Sequence, residues 1–473
     1  MAENALLLLL GGIIAIAFTF TVLQFYRGLK KNDEESKLPP GSMGWPLIGE
    51  TISWYLCMSN NLPQKFVQER ERRYGGIFSS HLFGRRTIVS VDPDFNKFLL
   101  QNEGRFFRAR YPKPVVELQG KYALLSVHGD LQRKLHGIAV NLLSAEKLKV
   151  DFMDDIQTLL HNTLTTWEGQ GNLLLQEECS EMILSLMAKQ LLDLSSTKEI
   201  KEIRARYSDF SAALLSLPIK FPGTTYARGH KARNYLINKI HKTMEERRKH
   251  PQIVHNDLLT KLMAEESLSD EVVADFLLFF IFAGHETSSR SMAFAIKFLS
   301  ECPKALEQLR EEHDSIKKRR GNEKLTWDDY MSMNFTQCVI NETLRLSNLS
   351  PGVFRETTES VKVKGYVIPK GFVVLGLIAG VHLNGKYHPA ALVFDPWRWQ
   401  KNEQDISKDQ LFTPFGGGAR LCPGLTLARL EVSLFLHQFV TRFGWKVLKE
   451  DHISHFPFPH FVEGFPIQLH CRE

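Results

Sequence analysis

The sequence predicts a mainly α fold with a minor β-sheet region, built as a single large body behind an N-terminal transmembrane helix. Three observations carry this expectation. From Asp94 to about Lys318 apolar residues recur at helical spacing almost without interruption. β-Branched and aromatic runs around tight turns are confined to residues 77–91 and 361–378. Residues 5–26 form a charge-free stretch of 22 residues, long enough to cross a hydrocarbon core as a helix.

At the N-terminus, Glu3 precedes the apolar stretch and Arg27, Lys30 and Lys31 follow it, so the positive-inside bias places the body on the cytosolic side. A cleaved secretory signal would carry a basic start, a shorter apolar core and a small-residue cleavage site, and here the charges are reversed. Residues 1–30 are therefore expected to be a retained anchor, 31–46 a charged and proline-rich linker, and 47–473 the body. A helix is expected over Gln64 to Tyr74. Strands Ile77 to Phe83 and Thr87 to Val91 follow, joined by a Gly84-Arg85-Arg86 turn. Late strands are expected at Val361 to Lys364, Gly365 to Ile368 and Phe372 to Ile378, around Pro369-Lys370-Gly371. No internal repeat interrupts this order.

Composition narrows the function. The 473 residues are 43% hydrophobic and 24% charged, which excludes a disordered chain. A net charge of +6 is modest for this length; it calls for no nucleic acid and suits an anionic membrane or an acidic protein partner. Basic runs such as residues 246–249 and 317–320 read as solvated helix ends. The six cysteines are scattered with no C-x-x-C pair, which points to a reducing compartment and away from disulfides or a zinc site.

One of those cysteines stands out. In Pro414-Phe415-Gly416-Gly417-Gly418-Ala419-Arg420-Leu421-Cys422-Pro423-Gly424 a glycine-rich loop runs into a helical apolar pattern, with Pro423 suited to the first helical position. Cys422 would then sit at a helix N-terminus, where peptide dipoles and unpaired N–H groups favour a thiolate that can ligate a metal. The plain alternative is a small buried hydrophobe. A second unusual stretch is Ala283-Gly284-His285-Glu286-Thr287, inside the long apolar helix expected over residues 271–302. Glycine, an acid and a hydroxyl there cost helix stability. Alone, Thr287 would bond its own helix carbonyl and His285 would be a satisfied helix histidine.

Phe415, Gly418, Arg420, Cys422 and Gly424 read F-x-x-G-x-R-x-C-x-G, which resembles the haem-binding loop of the cytochrome P-450 family. The resemblance implies haem b with Cys422 as the axial iron ligand, Phe415 packed beside the sulfur, and Gly418 and Gly424 shaping the loop. A-G-x-[DE]-T is similar to the family's oxygen groove, which implies proton delivery by Thr287 and Glu286 and room for dioxygen at Ala283 and Gly284. By the same resemblance Arg420 and Arg355 hold the haem propionates. Where the family has W-x-x-x-R this chain departs, placing Gln132 and His136 there as the remaining propionate partners. Glu342 and Arg345, three apart on one helix face, default to a surface pair. With the F-x-P-x-R-W element supplying Arg398, they resemble the family's buried structural triad.

These motifs, and a hinge read from L-P-P-G-x-x-G-W-P at residue 38 onward, imply a microsomal plant-type monooxygenase. Such an enzyme is anchored in the endoplasmic reticulum membrane with its body in the cytosol. It takes electrons from NADPH through NADPH-cytochrome P-450 reductase and uses O2 as co-substrate. The segments FAGHETSS, G-Y-x-I-P-K-G and F-D-P-W-R-W-Q look like the brassinosteroid-pathway hydroxylases, although Phe372 stands where those usually carry tryptophan. The expected substrate is therefore a plant sterol or related steroid hydroxylated on its side chain. The alternatives are another terpenoid, such as a triterpene, or an isomerase or dehydratase that needs no reductase. Aromatic and aliphatic segments around residues 107–124, 276–282, 349–354 and 456–461 are candidate contacts for a hydrophobic substrate.

Overall fold

A computed structural model describes residues 37–45, 48–59, 63–255, 257–321, 323–400 and 410–472, with Gly12 and Thr19. The expected anchor and nearly all of the charged part of the linker lie outside these residues. The chain divides into two compact units, one made of residues up to Arg110 with Gly352–Leu377, the other of Tyr111–Pro351 with Ile378–Glu473.

The first unit carries helices α1 (Thr51–Ser59), α2 (Pro63–Tyr74) and α3 (Pro93–Gln101) and strands β1 (Ile77–Leu82), β2 (Arg85–Ser90) and β3 (Phe107–Ala109). Strands β5 (Val353–Thr357) and β8 (Val373–Gly376) complete a five-stranded sheet in the order β1-β2-β8-β5-β3. The β2–β8 pair is parallel and the others are antiparallel. A hairpin of β6 (Val361–Val363) and β7 (Tyr366–Ile368) stands beside it. Expected strand positions hold to within a few residues. The last is shorter than Phe372 to Ile378, because Ile378 opens a short helix, Ile378–His382. α3 starts where Asp92 accepts the Phe95 N–H at 2.8 Å and Pro93 supplies a pre-set φ. Its Phe95 and Leu99 pack with Ile77, Ile88, Phe107 and Val374 into this unit's core.

The second unit is helical. Its main elements are α4 (Lys113–Gln119), α5 (Gly129–Leu142), α6 (Met153–Trp167), α7 (Leu175–Leu192), α8 (Thr197–Ala213) and α9 (Thr225–Lys249). Then come α10 (Asp270–Glu301), α11 (Pro303–Arg320), α12 (Asn334–Ser347) and α13 (Leu425–Arg442). Strand β4 (Asn172–Leu174) pairs with β12 (Pro466–Cys471), which also pairs with β9 (Phe443–Val447); β10 (Ile453–Ser454) and β11 (His460–Phe461) form a hairpin.

α10 is the axis of this unit. Asp270 and Glu271 in its first turn complement the helix dipole, and Cys302-Pro303 ends it. It packs against α7, α12 and α13. Among the described residues it alone is long and apolar enough to cross a membrane, but 72% of that window is buried in the protein, so it is a core helix. The expected triad forms behind it. Glu342 and Arg345 are fully buried and paired through both carboxylate oxygens, at 2.7 and 2.8 Å, and Arg398 Nε reaches Glu342 Oε1 at 3.0 Å. The surface-pair alternative is excluded by this burial.

Candidate active site

The cysteine loop is closed on itself. Cys422 N–H donates to the Phe415 carbonyl at 3.0 Å, and Gly416 (φ 72°) and Gly418 (φ 64°) turn the chain through the left-handed region that other residues resist. Helix α13 begins only at Leu425 with Gly424 as its N-cap, so Pro423 lies outside the helix rather than at its first position. Cys422 correspondingly stands two residues before the cap. The expectation of a thiolate favoured by the helix start alone is corrected: burial pushes the Cys422 thiol up, and the Gly424 N–H offsets only part of that.

Around the loop the structure brings together most of the residues singled out in sequence. Gln132 Nε2, from α5, donates to the Ala419 carbonyl at 3.0 Å. His136 Nε2 lies 2.8 Å from the Leu421 carbonyl, and since that oxygen only accepts, Nε2 carries the proton. Arg420 reaches the other way, donating to the carbonyls of Val127 at 2.6 Å and Leu124 at 3.0 Å. Three side chains thus bind the loop to the entrance of α5. Phe415 is half-buried with the Arg429 guanidinium 5.6 Å from its ring centroid, and Arg429 is itself bound to Gln337 and Asn341 of α12. Arg355 is not among these residues. It belongs to β5 of the first unit, nearly fully buried, with Nε 2.6 Å from Glu103 Oε2.

On α10, Phe279, Ala283 and Thr287 form a stripe at four-residue spacing. The first two are half-buried and Thr287 is exposed, in the middle of a helix otherwise packed on every side. Thr287 Oγ1 donates to the Ala283 carbonyl at 2.8 Å, the local bond expected of an isolated threonine, which leaves its oxygen able to accept. Gly284 has a packing reason: a Cβ there would lie 2.5 Å from Met187 Sδ of α7. Glu286 is turned toward α8, accepting from Ser211 Oγ at 2.8 Å and paired with Arg290, while His285 Nε2 lies 3.5 Å away. Burial pushes the Glu286 carboxyl up, but Arg290, His285 and Ser211 together pull it below the usual carboxylate range. His285 is fully buried with Nδ1 2.8 Å from the Ile281 carbonyl, and burial lowers it toward the neutral form. Arg290 was legible as the residue four after Glu286; Ser211 carried no sequence signal.

A further buried acid went unread in the sequence. Glu431 of α13 is 1% exposed, and neither carboxyl oxygen makes a well-formed hydrogen bond among the described residues. Burial pushes it up to about 8, with only the Ser288 hydroxyl acting against that shift. Ser288 follows Thr287, so the Glu431 carboxyl is buried where α13 packs on the Thr287 turn of α10. Because the folded carboxyl binds its proton more tightly than the unfolded one, stability falls as pH rises from about 4.5 through 8. Glu431→Gln is expected to match the wild type at about pH 4.5 and to exceed it by on the order of 2 kcal/mol at pH 6 and by more at pH 9 in denaturant titrations.

The donor set fits a haem. One sulfur presented by a loop cannot hold a bare ion, and among the described residues no group of three or more His, Cys, Asp or Glu could bind one; a metal at Cys422 must bring its other ligands with it. Gly424 has an ordinary φ of −87°, and a Cβ there would meet only Cys422 Sγ at 3.8 Å and Leu143 at 3.9 Å. No protein atom therefore demands glycine at that position, which leaves a close approach to a flat group beside the sulfur as its reason.

Comparison with known proteins agrees with this chemistry. The cytochrome P450 family model matches residues 39–464. The chain is 59% identical to cytochrome P450 720B2 of Pinus taeda over 98% of this chain and 97% of that one. It is 57% identical to an abietadienol/abietadienal oxidase of the same species over the whole of both chains. A cholesterol 22-hydroxylase of Paris polyphylla is 38% identical over 99% and 98%. The solved structure of a retinoic acid-bound cyanobacterial CYP120A1 superposes with a TM-score of 0.83 at 25% identity, covering 92% of this chain and 99% of that one. The chain belongs to the cytochrome P450 family: it is a monooxygenase that uses haem b and O2 and takes electrons from NADPH through a reductase.

Proposed function

We propose that this monooxygenase oxidises a diterpenoid, carrying one carbon from alcohol through aldehyde to acid. The observation that carries the reading is 57% identity, over the full length of both chains, to an abietadienol/abietadienal oxidase. Each step balances with one O2 and one NADPH. An alcohol R–CH2OH with O2, NADPH and H+ gives R–CHO, two waters and NADP+; the aldehyde with the same reagents gives R–COOH, one water and NADP+. The haem, when bound, supplies the oxidant. Cys422 would hold the iron as thiolate, with Phe415, whose carbonyl accepts the Cys422 N–H, beside it. Gln132, His136 and Arg420 pin the loop that presents it, and the N–H groups of Gln132 and Arg420 not spent on that, with Arg355, would be the donors offered to the two propionates. Thr287 and Glu286 handle protons. Glu286 is kept in the acceptor form by Arg290 and Ser211, and Thr287 keeps a free lone pair on the exposed stripe of α10. The apolar Phe279 and Ala283 on that stripe suit a hydrocarbon skeleton, with the small Ala283 leaving room for dioxygen and Gly284 letting Met187 of α7 pack behind it. Residues 47–473 act as the catalytic domain, held at the endoplasmic reticulum membrane by residues 1–30.

A second reading is side-chain hydroxylation of a sterol, favoured by 38% identity across nearly the whole chain to a cholesterol 22-hydroxylase. The two separate in one experiment. The full chain, with a plant reductase in microsomes, is offered a tricyclic diterpene alcohol, the matching aldehyde, cholesterol and a triterpene. The expected result is NADPH-dependent conversion of the alcohol and aldehyde to the acid, with kcat/KM at least about tenfold above cholesterol. Turnover of cholesterol without turnover of either diterpenoid would replace the first reading by the second. Rearrangement without NADPH would overturn both.

A further inference from the structure

Residues 120–127 run between two fixed points. At one end lies Asp275 of α10, 6% exposed. It stands four residues before Phe279, so it continues the Phe279–Ala283–Thr287 stripe toward the start of the helix. Its two carboxylate oxygens have separate partners. Oδ1 is paired with the Arg233 guanidinium of α9, and Oδ2 accepts the Tyr122 backbone N–H at 3.1 Å. Gly120 is shaped to this contact: its φ of 101° is one that other residues resist, and a Cβ there would collide with the Asp275 carboxyl group. The stripe is thus partly open at Phe279, Ala283 and Thr287 and covered at Asp275 by residues 120–122. At the other end is Arg420 of the cysteine loop, which donates to the carbonyls of Leu124 at 3.0 Å, Leu125 at 3.4 Å and Val127 at 2.6 Å. Successive turns stiffen the segment in between. The Gly120 carbonyl accepts the Ala123 N–H at 3.3 Å, and the Ala123 carbonyl accepts the N–H groups of Ser126 at 2.8 Å and Val127 at 3.1 Å. A shift at Tyr122 therefore reaches the carbonyls that hold Arg420.

We propose that Asp275 is a positioning residue that braces residues 120–127 between α10 and the cysteine loop, and through Arg420 sets how that loop is held for the reaction. The inference rests on Arg420 as a propionate donor and on the α10 stripe as the substrate side, both part of the proposed function. Asp275 acts through the Tyr122 backbone. The plain alternative is a buried ion pair that ties α9 to α10 and serves stability alone. Such a pair needs neither the Tyr122 N–H nor a glycine at position 120, and this structure supplies both. The neighbouring Lys121–Glu271 pair, 3.5 Å apart and exposed, adds little to the brace.

Three variants of the full chain separate the brace from the ion pair. Asp275→Leu removes both contacts. Gly120→Ala displaces the segment while keeping the carboxylate and Arg233, and Arg233→Met removes the cation while leaving Tyr122 its acceptor. In hydrogen exchange of haem-loaded protein without substrate, the amides of residues 122–127 are expected to exchange about tenfold faster in Asp275→Leu and Gly120→Ala than in the wild type. Transfer of haem to excess apomyoglobin should quicken in the same two variants by on the order of threefold to tenfold. With a tricyclic diterpene alcohol their KM should rise by about the same factor while kcat falls by less than about twofold. In Arg233→Met the thermal midpoint should fall while exchange and haem transfer stay within about twofold of the wild type. Gly120→Ala carries the test if Asp275→Leu does not fold. Wild-type exchange and haem transfer in Gly120→Ala, or an Arg233→Met that matches Asp275→Leu in both, would reduce Asp275 to a partner of Arg233 and overturn the proposal. Faster exchange with wild-type haem transfer would overturn the link to the cysteine loop. No turnover of the diterpene alcohol by the wild type would overturn the substrate reading alone, because exchange and haem transfer are read without substrate.

Discussion

Glu342→Leu is expected to yield no recoverable folded enzyme. The carboxylate is fully buried and receives Arg345 through both oxygens, Arg398 Nε, the Trp399 indole N–H at 3.0 Å and the Asp395 backbone N–H at 3.1 Å. Arg345 also donates to the His382 and Ala391 carbonyls at 2.7 Å each, so it cannot leave for solvent without opening two further segments. Removing one partner of a buried pair costs about 3–5 kcal/mol, and here other donors are stranded with it. Against a total stability of about 5–15 kcal/mol that loss is decisive. Glu342→Gln, which keeps an acceptor but not the charge, should fold poorly yet better. Expression yield and thermal midpoint read the result, and wild-type values for Glu342→Leu would mean the network does not hold the fold.

Cys422→Ser is expected to abolish product formation while leaving the fold in place. Sulfur and hydroxyl are close in size, and the loop is closed by backbone and by Gln132, His136 and Arg420 rather than by the cysteine side chain. A serine oxygen is a poor replacement for thiolate on haem iron and does not donate the same electron density. A fall in turnover of about a hundredfold or more is expected, with far-ultraviolet circular dichroism unchanged. Retained turnover would place the iron ligand elsewhere.

How much of this was readable in the sequence follows from how local each feature is. The strands around Gly84 and Gly371, the span of α10 and the glycine turns at Gly416 and Gly418 depend on neighbours within a few residues, and they came through to within a few positions. The Glu342–Arg345–Arg398 network was legible because its pieces are fixed motifs. The partners of individual polar side chains were not. Arg355 meets Glu103, Glu286 meets Ser211, and Gln132 and His136 meet carbonyls nearly 290 residues away. Only the folded chain chooses those. Cys422 shows the same limit in its electrostatics. A helix start argues for thiolate, but burial outweighs the one Gly424 N–H near the sulfur and pushes the Cys422 thiol up. The thiolate therefore belongs to the metal-bound protein. Substrate choice was least legible of all, since a steroid and a diterpenoid ask for the same apolar lining and differ only in its shape.

The reduced carbon monoxide difference spectrum of the full chain tests Cys422 as the haem ligand most directly. The wild type is expected to show the strongly red-shifted Soret band of a thiolate-ligated haem. In Cys422→Ser and Cys422→His that band should be lost and replaced, where haem is retained, by one at the shorter wavelength of oxygen or nitrogen ligation. Absence of the red-shifted band from wild-type protein that contains haem, or its survival in either variant, would mean that Cys422 is not the ligand.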